Sequence, residues 1–292
     1  MLPTFKTNTQ LSFGKTILFV TACIFLFILI AVFCELLTFW INPGTLKIVI
    51  REAFLRMPIT IVSLHLFAGR VIKTYDPSAI YGKLILIKAL KWTAIGLVLP
   101  VIAWLVYYLF HITVPFPHTV VLNMADKLSL LIKWIAISLA AGLTEEVLFR
   151  GHLFMILRSR FTTTKSILIT SLIFGIVHVA MLTSFSPIDI LTVVFGGIIT
   201  GIMFSAIYRY TTVIWYAAIV HFIWDIFFIG RITTLAATQA DANNSIIAFK
   251  LTTQNRLLTG GNFGLEAAIP CLVVYLLVTA VLVYFSRRRI AR

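Results

Sequence analysis

Charge is scarce in this chain. Only 12% of its 292 residues are charged, against about 25% in an average soluble domain. Hydrophobic residues make up 60%, and mean hydropathy is +1.03. A water-soluble domain is excluded, because that much apolar surface cannot be turned away from solvent. Acid is scarcest of all, with 10 Asp and Glu against 24 Lys and Arg, for a net charge of +14. No compact basic domain carries a nucleic-acid footprint, so nucleic acid is excluded as a partner. The basic residues instead flank apolar runs and set topology. Cysteine is rare: Cys23, Cys34 and Cys271 are odd in number and form no CxxC. That argues against a disulfide framework or a thiolate metal site, and leaves them as small buried hydrophobes. HExxH is missing, so a soluble zincin arrangement is excluded.

What is present is long and apolar. Eight runs of roughly bilayer-spanning length occupy approximately 16–40, 53–69, 92–112, 128–149, 166–184, 188–208, 212–230 and 266–286. They predict an all-α fold, a polytopic membrane helix bundle of about eight transmembrane helices. The first run follows a basic, polar leader and exceeds a signal-peptide core of about 7–15 residues, so it reads as a retained span. The second is the weakest; it is short, carries Arg56 and Pro58 near its start, and also fits a half-buried segment.

Charge sets the orientation. With the N-terminus inside, the inner segments carry Lys6, Lys15, Arg70, Lys73, Lys83, Lys88, Lys91, Arg158, Arg160, Lys165, Arg209, Arg287, Arg288, Arg289 and Arg292. The outer side carries Lys47, Arg51, Arg56, Lys127, Arg231, Lys250 and Arg256, so the count is 15 against 7. That is the asymmetry of the positive-inside rule, and both termini are expected in the cytoplasm. The chain divides into N-terminal membrane helices (1–127), core helices (128–230), and an outer loop with a last membrane helix (231–292). All belong to one membrane-embedded unit. Gly196, Gly197 and Gly201 predict close packing of the sixth helix.

Against this background a few polar residues stand out. Glu145, Glu146 and Arg150 lie in an apolar run, His178 in SLIFGIVHVAML, and His221 with Asp225 in YAAIVHFIWDIFFIG. A charge at bilayer depth costs on the order of 2.5 kcal/mol or more, so something must offset it. His178 is expected about 18 Å and His221 about 14 Å from the inner helix ends, at 1.5 Å per residue. Glu145 and Glu146 are expected near the cytoplasmic end of the fourth helix. All fall between the bilayer's middle and its cytoplasmic face, which predicts one shared polar pocket. Consecutive residues point about 100° apart on a helix, so Glu145 and Glu146 divide their work. Arg150, four residues on, pairs with Glu146, and Glu145 faces the pocket. Phe174 shares a face with His178, and His221 with Asp225.

A carboxylate beside an imidazole activates water as a general base, and a second imidazole donates to a developing oxyanion. The same residues (Glu145, His178 and His221) would also serve as ligands to zinc, with a position left for water. Spacing alone leaves both options open. No Ser or Cys sits in a nucleophile-like motif; Ser171 and Ser205 are the nearest to either histidine.

At these residues the chain resembles the CPBP family of intramembrane proteases, the CAAX prenyl endopeptidases and bacteriocin-processing (Abi) enzymes. EEVLFRG at 145–151 is similar to the family's EExxxR motif, FGIVH at 174–178 to FxxxH, and HFIWD at 221–225 to Hxxx(N/D). The resemblance covers about residues 128–230. It implies a helical bundle with a polar cavity open to the cytoplasm, and hydrolysis of a peptide bond in or near the membrane. It implies that Glu145 and His178 activate water, that His221 and Asp225 stabilise the oxyanion, and that Glu146, Arg150 and Phe174 support the site. The family has been described both as metalloproteases and as metal-free glutamate enzymes. Position 225 is Asp where the prenyl proteases often carry Asn. An ionised Asp only accepts hydrogen bonds, so the expected role of Asp225 is to orient His221 by accepting its other N–H.

The expected partners are the lipid bilayer and a membrane-associated peptide or protein substrate, lipidated in the prenyl-protease case. The expected location is a bacterial plasma membrane. Two rival readings follow from the same residues: a non-catalytic immunity or scaffold protein that retains the pocket, and a proton-coupled transporter.

Overall fold

The computed structural model describes residues 10–182, 185–230, 232–236 and 238–290. Lys6, Arg231 and Arg292 of the charge count lie outside them, as does the Arg289 side chain. Among the described residues seven helices are long and apolar enough to cross a bilayer. We number them α1 (Phe13–Leu37), α2 (Thr45–Ile72), α3 (Leu86–Leu109), α4 (Met124–Arg158), α5 (Thr163–Met181), α6 (Pro187–Thr211) and α8 (Ile269–Ile290). Between the last two lies α7 (Ile214–Phe228), apolar throughout but only 15 residues long. The expected helical membrane bundle is therefore present, with its seventh span shortened.

Local sequence explains the helix starts. Ser12, Asn123, Thr162 and Ser186 each accept a backbone N–H with the side chain ahead of α1, α4, α5 and α6, the usual N-cap arrangement. Thr212 adopts a left-handed conformation (φ 58°) and ends α6. Along α1, Leu18, Phe25 and Leu36 are more than half exposed, as expected of side chains that meet lipid.

Two helices depart from expectation. α2 begins at Thr45 rather than near residue 53 and is the longer for it, a full span and not a half-buried segment. Its residues Ile50–Arg56 form a π-helical stretch just ahead of Pro58. Proline has no N–H to give, and its ring crowds the carbonyl four residues back; a wide turn upstream re-spaces the chain around that conflict. α4 continues through a second π-helical stretch, Val147–Leu153, to Arg158. Arg150 and His152 lie beyond the apolar run 128–149, yet both are inside the helix and buried. Glu145 and Glu146 therefore lie well inside the helix and not near its terminus.

Outside the helices, a small sheet forms that the polar sequence of the outer segment does not announce. β1 (Thr113–Pro115) pairs antiparallel with β3 (Ile247–Leu251), which also pairs parallel with β2 (Thr233–Leu235). Strands of three to five residues are too short to show alternation.

Glycines bring the site-bearing helices together. A Cβ on Gly197 would fall 2.4 Å from the Gly175 Cα, and one on Gly201 2.8 Å from Ser171. α5 and α6 thus touch backbone to backbone, the close approach expected of small residues in membrane helices. Gly142 does the same for α4 and α7, where a Cβ would meet the Phe222 nitrogen at 2.8 Å. These contacts bring the three motif-bearing helices to one place.

Residue counts give the depth. Glu145 is thirteen residues from the Arg158 end of α4, about 20 Å at 1.5 Å per residue. His178 is fifteen residues from the Thr163 end of α5, about 22 Å by the same rise. Both helix ends lie on the side of the bundle where α1 begins, as the Arg160 hydrogen bond to the Leu11 carbonyl shows. Along α4 Glu145 lies 13 residues from Arg158 and 21 from Met124, while His178 is near the Met181 end of α5 and His221 is midway along α7.

Candidate active site

Glu146 is fully buried and accepts a hydrogen bond from Arg150 Nη1 at 2.8 Å. The guanidinium also donates to the Gly201 carbonyl at 3.3 Å. Its carbon lies 4.6 Å from the Phe174 ring centre and 5.2 Å from that of Phe204. A buried arginine is tolerable only when it is paired, hydrogen-bonded and covered in this way. The expected i,i+4 pairing is present, and the π-helical stretch of α4 begins directly after Glu146.

Glu146 has a second task that the sequence did not show. Its Oε1 lies 2.9 Å from His221 Nδ1. Asp225 Oδ1 stands 3.6 Å from His221 Nε2, beyond an ordinary hydrogen bond. The carboxylate that orients His221 is thus Glu146, reached across the α4–α7 contact. Asp225, four residues along the same helix, faces the opposite ring nitrogen instead. The Phe204 ring stacks on the imidazole at 4.4 Å with 19° between planes. With Nδ1–H committed to Glu146, His221 turns Nε2 to the cavity.

His178 is fixed by its own helix. Nδ1 lies 2.7 Å from the Phe174 carbonyl oxygen, which only accepts. Nδ1 therefore carries the proton, and Nε2 presents a lone pair when the ring is neutral. Phe174 packs against the same ring at 4.3 Å. One residue of the FxxxH motif thus holds His178 through its carbonyl and covers Arg150 with its side chain.

Glu145 faces these two histidines. Its Oε2 is 3.9 Å from His178 Nε2 and 3.8 Å from His221 Nε2. That oxygen is buried and has no hydrogen-bond partner among the described residues. Gaps near 4 Å are too wide for a direct hydrogen bond and fit one bridging water. A tetrahedral zinc set at about 2.1 Å per ligand needs its donors about 3.4 Å apart. Among the described residues no three or more His, Cys, Asp or Glu side chains gather closely enough to hold a metal ion. As they stand, Glu145, His178 and His221 do not match zinc coordination.

Glu145, Phe174, His178, Phe204, His221 and Asp225 open onto one cavity of about 440 Å³. Its walls are not confined to residues 128–230: Phe27 of α1, Arg56 of α2 and Tyr275 of α8 also line it. So does Glu266, which stands on a 3-10 turn ahead of α8. Burial pushes the Glu266 carboxyl up to about 7, against the opposing pull of His221 and of the Trp224 indole. The indole N–H approaches this carboxylate without reaching hydrogen-bond geometry. Glu266, Phe204, Arg56 and Ser138 are site residues that sequence reasoning missed. Glu266 and Arg56 left a trace, as charges in or beside apolar runs, and neither belongs to a motif.

No curated protein and no solved structure matches this chain. One family model does, over the stretch that supplies the glutamates and both histidines. The chain is thus an integral membrane protein whose residues 127–227 match the type II CAAX prenyl endopeptidase Rce1-like family, in keeping with the CPBP intramembrane proteases.

Proposed function

We propose that the chain is an intramembrane endopeptidase that cleaves a membrane-associated substrate with water activated by Glu145. The observation that carries this reading is the buried, unpartnered Glu145 Oε2, just under 4 Å from the Nε2 atoms of two separately anchored histidines. A water held there donates one hydrogen to Glu145 and one to His178 Nε2. Its oxygen attacks the scissile carbonyl carbon while Glu145 takes the proton. The protonated form of His221 donates from Nε2 to the carbonyl oxygen as it becomes anionic, held in place by Glu146 and Arg150. Collapse of the tetrahedral intermediate breaks the C–N bond, and the proton on Glu145 passes to the departing amine.

The substrate is identified by comparing the membrane proteome of cells that carry the wild-type chain with that of cells carrying Glu145→Ala. An uncleaved form of at least one membrane-associated protein is expected only in the variant; identical proteomes count against the reading. With purified protein, hydrolysis of that substrate should change less than about twofold on exhaustive chelation, because no step runs through a metal. Loss of activity restored by zinc sinks the metal-free mechanism.

Both termini are proposed to be cytoplasmic, on the charge asymmetry. The three native cysteines are buried, so added ones report cleanly. In intact cells a membrane-impermeant maleimide should label Gln254→Cys and spare Arg288→Cys. The reverse pattern inverts the chain.

A further inference from the structure

The catalytic cavity has a neighbour. A second cavity, of about 210 Å³, lies between the C-terminal end of α7, strand β2 and the turn ahead of α8. Ile229 lines both. Along the chain ahead of α8, Phe263 and Glu266 face the first cavity, and Gly264 and Leu265 the second. None of the residues lining this second space takes part in the hydrolysis proposed above.

Thr233, Thr234 and Leu235, the whole of β2, line it. Successive side chains of a strand point to opposite faces, so a space that meets three consecutive residues looks onto the strand's edge. The sheet order is β1-β3-β2, which leaves one edge of β2 open. The Ile232 carbonyl accepts from Ile247 N–H, and Ala236 N–H donates to the Phe249 carbonyl, each at 2.8 Å. Backbone groups alternate in direction along a strand, so the N–H and C=O of Thr233 and Leu235 turn away from β3. None of these four groups has a hydrogen-bond partner among the described residues. The strand is nevertheless held in place, because Thr233 Oγ1 donates to the Phe227 carbonyl at 2.9 Å. β1, at the opposite edge of the sheet, ends in Pro115, a residue that blunts an edge; β2 has no such guard.

We infer that the open edge of β2 is a binding site for the substrate's backbone, which pairs with it in extended form as a fourth strand while the scissile bond lies at Glu145. This rests on the hydrolytic reading of Glu145. Ile229 follows His221 by eight residues, about 12 Å at the helical rise. An extended peptide covers that distance in about four residues, at 3.3–3.6 Å each. The paired stretch therefore begins about four residues from the scissile bond. Pairing of this kind reads conformation more than side chains, so the site takes a segment that is extended and free of proline at the paired positions.

The test measures binding apart from catalysis. Full-length protein carrying Glu145→Gln is placed in nanodiscs of phosphatidylcholine, so that the probe is not consumed. The probe is dansyl-Thr-Val-Thr-Val-Thr-Val-Leu-Ile-Ala-amide, with two further forms N-methylated at alternate residues in the two possible phases. An added strand turns every second N–H to its partner and the others to solvent. One methylated form is therefore expected to lose about tenfold or more in affinity, and the other less than about twofold. Leu235→Pro removes one outward N–H and spares those that meet β3; it should weaken the unmodified probe about fivefold, and Leu235→Ala less than about twofold. The methylated probes leave the protein unaltered, so they decide the question even where Leu235→Pro fails to fold. No binding of the unmodified probe, equal affinity of the two methylated forms, or full binding by a folded Leu235→Pro protein overturns the assignment. Hydrolysis is scored separately with Glu145 intact, so failure of this site and failure of the protease reading are distinct results.

Discussion

Glu145→Gln is expected to reduce peptide-bond hydrolysis by about 10²–10⁴-fold, the usual worth of a positioned general base. The fold should be almost untouched. Glu145 Oε2 makes no hydrogen bond that folding relies on, and the amide fills the same volume. The melting temperature is expected to stay within about 2 °C, since surface-like substitutions with no lost partner change stability by about 0.5 kcal/mol or less. Full activity in a well-folded Glu145→Gln protein would remove Glu145 from the reaction. Its neighbour should behave differently. Glu146→Gln breaks the contact to Arg150 as well as that to His221, so activity and stability fall together. The contrast between two adjacent glutamates is the sharper test, because a general loss of packing would not separate them.

Arg150→Met should be the most destabilising single change in the catalytic helix. The arginine is 2% exposed and Glu146 is fully buried; removing one partner strands the other, at a cost of about 3–5 kcal/mol. Losing the guanidinium from among Phe149, Phe174 and Phe204 adds to that by about 0.5–2 kcal/mol for each ring contact that counts. A fall in melting temperature on the order of 10 °C follows, at about 2–4 °C per kcal/mol for a chain of this size class. Glu146→Gln combined with Arg150→Met should recover much of the stability, because no buried charge is left alone. It should not recover activity, because His221 then lacks its anionic partner. Recovery of both would mean that the pair is only structural. Arg150→Lys keeps the charge but gives up the flat, forked contact with Gly201 and the rings, and an intermediate melting temperature is expected.

The membrane bundle and the residues that meet in it were legible because they break a strong rule. A Glu, His or Asp inside twenty apolar residues is conspicuous, and Glu145, His178 and His221 converge as their spacing suggests. Their mutual bonding was less legible. The Asp225 spacing pointed to the wrong partner for His221, because a one-dimensional pattern shows contacts along a helix but not across two. Glu146 reaches His221 only because Gly142 lets α4 and α7 touch. The extents of α2 and α4 were also misread. Pro58 in one and Arg150 in the other look like helix ends, and in both helices a π-helical stretch at or beside that residue lets the chain run on. Ser138 carried no signal at all, since serine is unremarkable on a helix until its surroundings show it to be unbonded.

The wide turn at Val147–Leu153 restricts how this stretch of chain can change in length. A π turn holds one residue more than the α turn it replaces. Deleting a single residue there would relax the backbone to an ordinary helix and so cost little locally. Because that one turn absorbs the extra residue, side chains beyond it would keep their direction, whereas those inside it, including His152 with its 2.8 Å contact to Tyr75, would be re-aimed. A single-residue deletion confined to this turn should therefore disturb the side chains it carries and spare the helix that follows, whereas the same deletion elsewhere in α4 would rotate everything beyond it by about 100°.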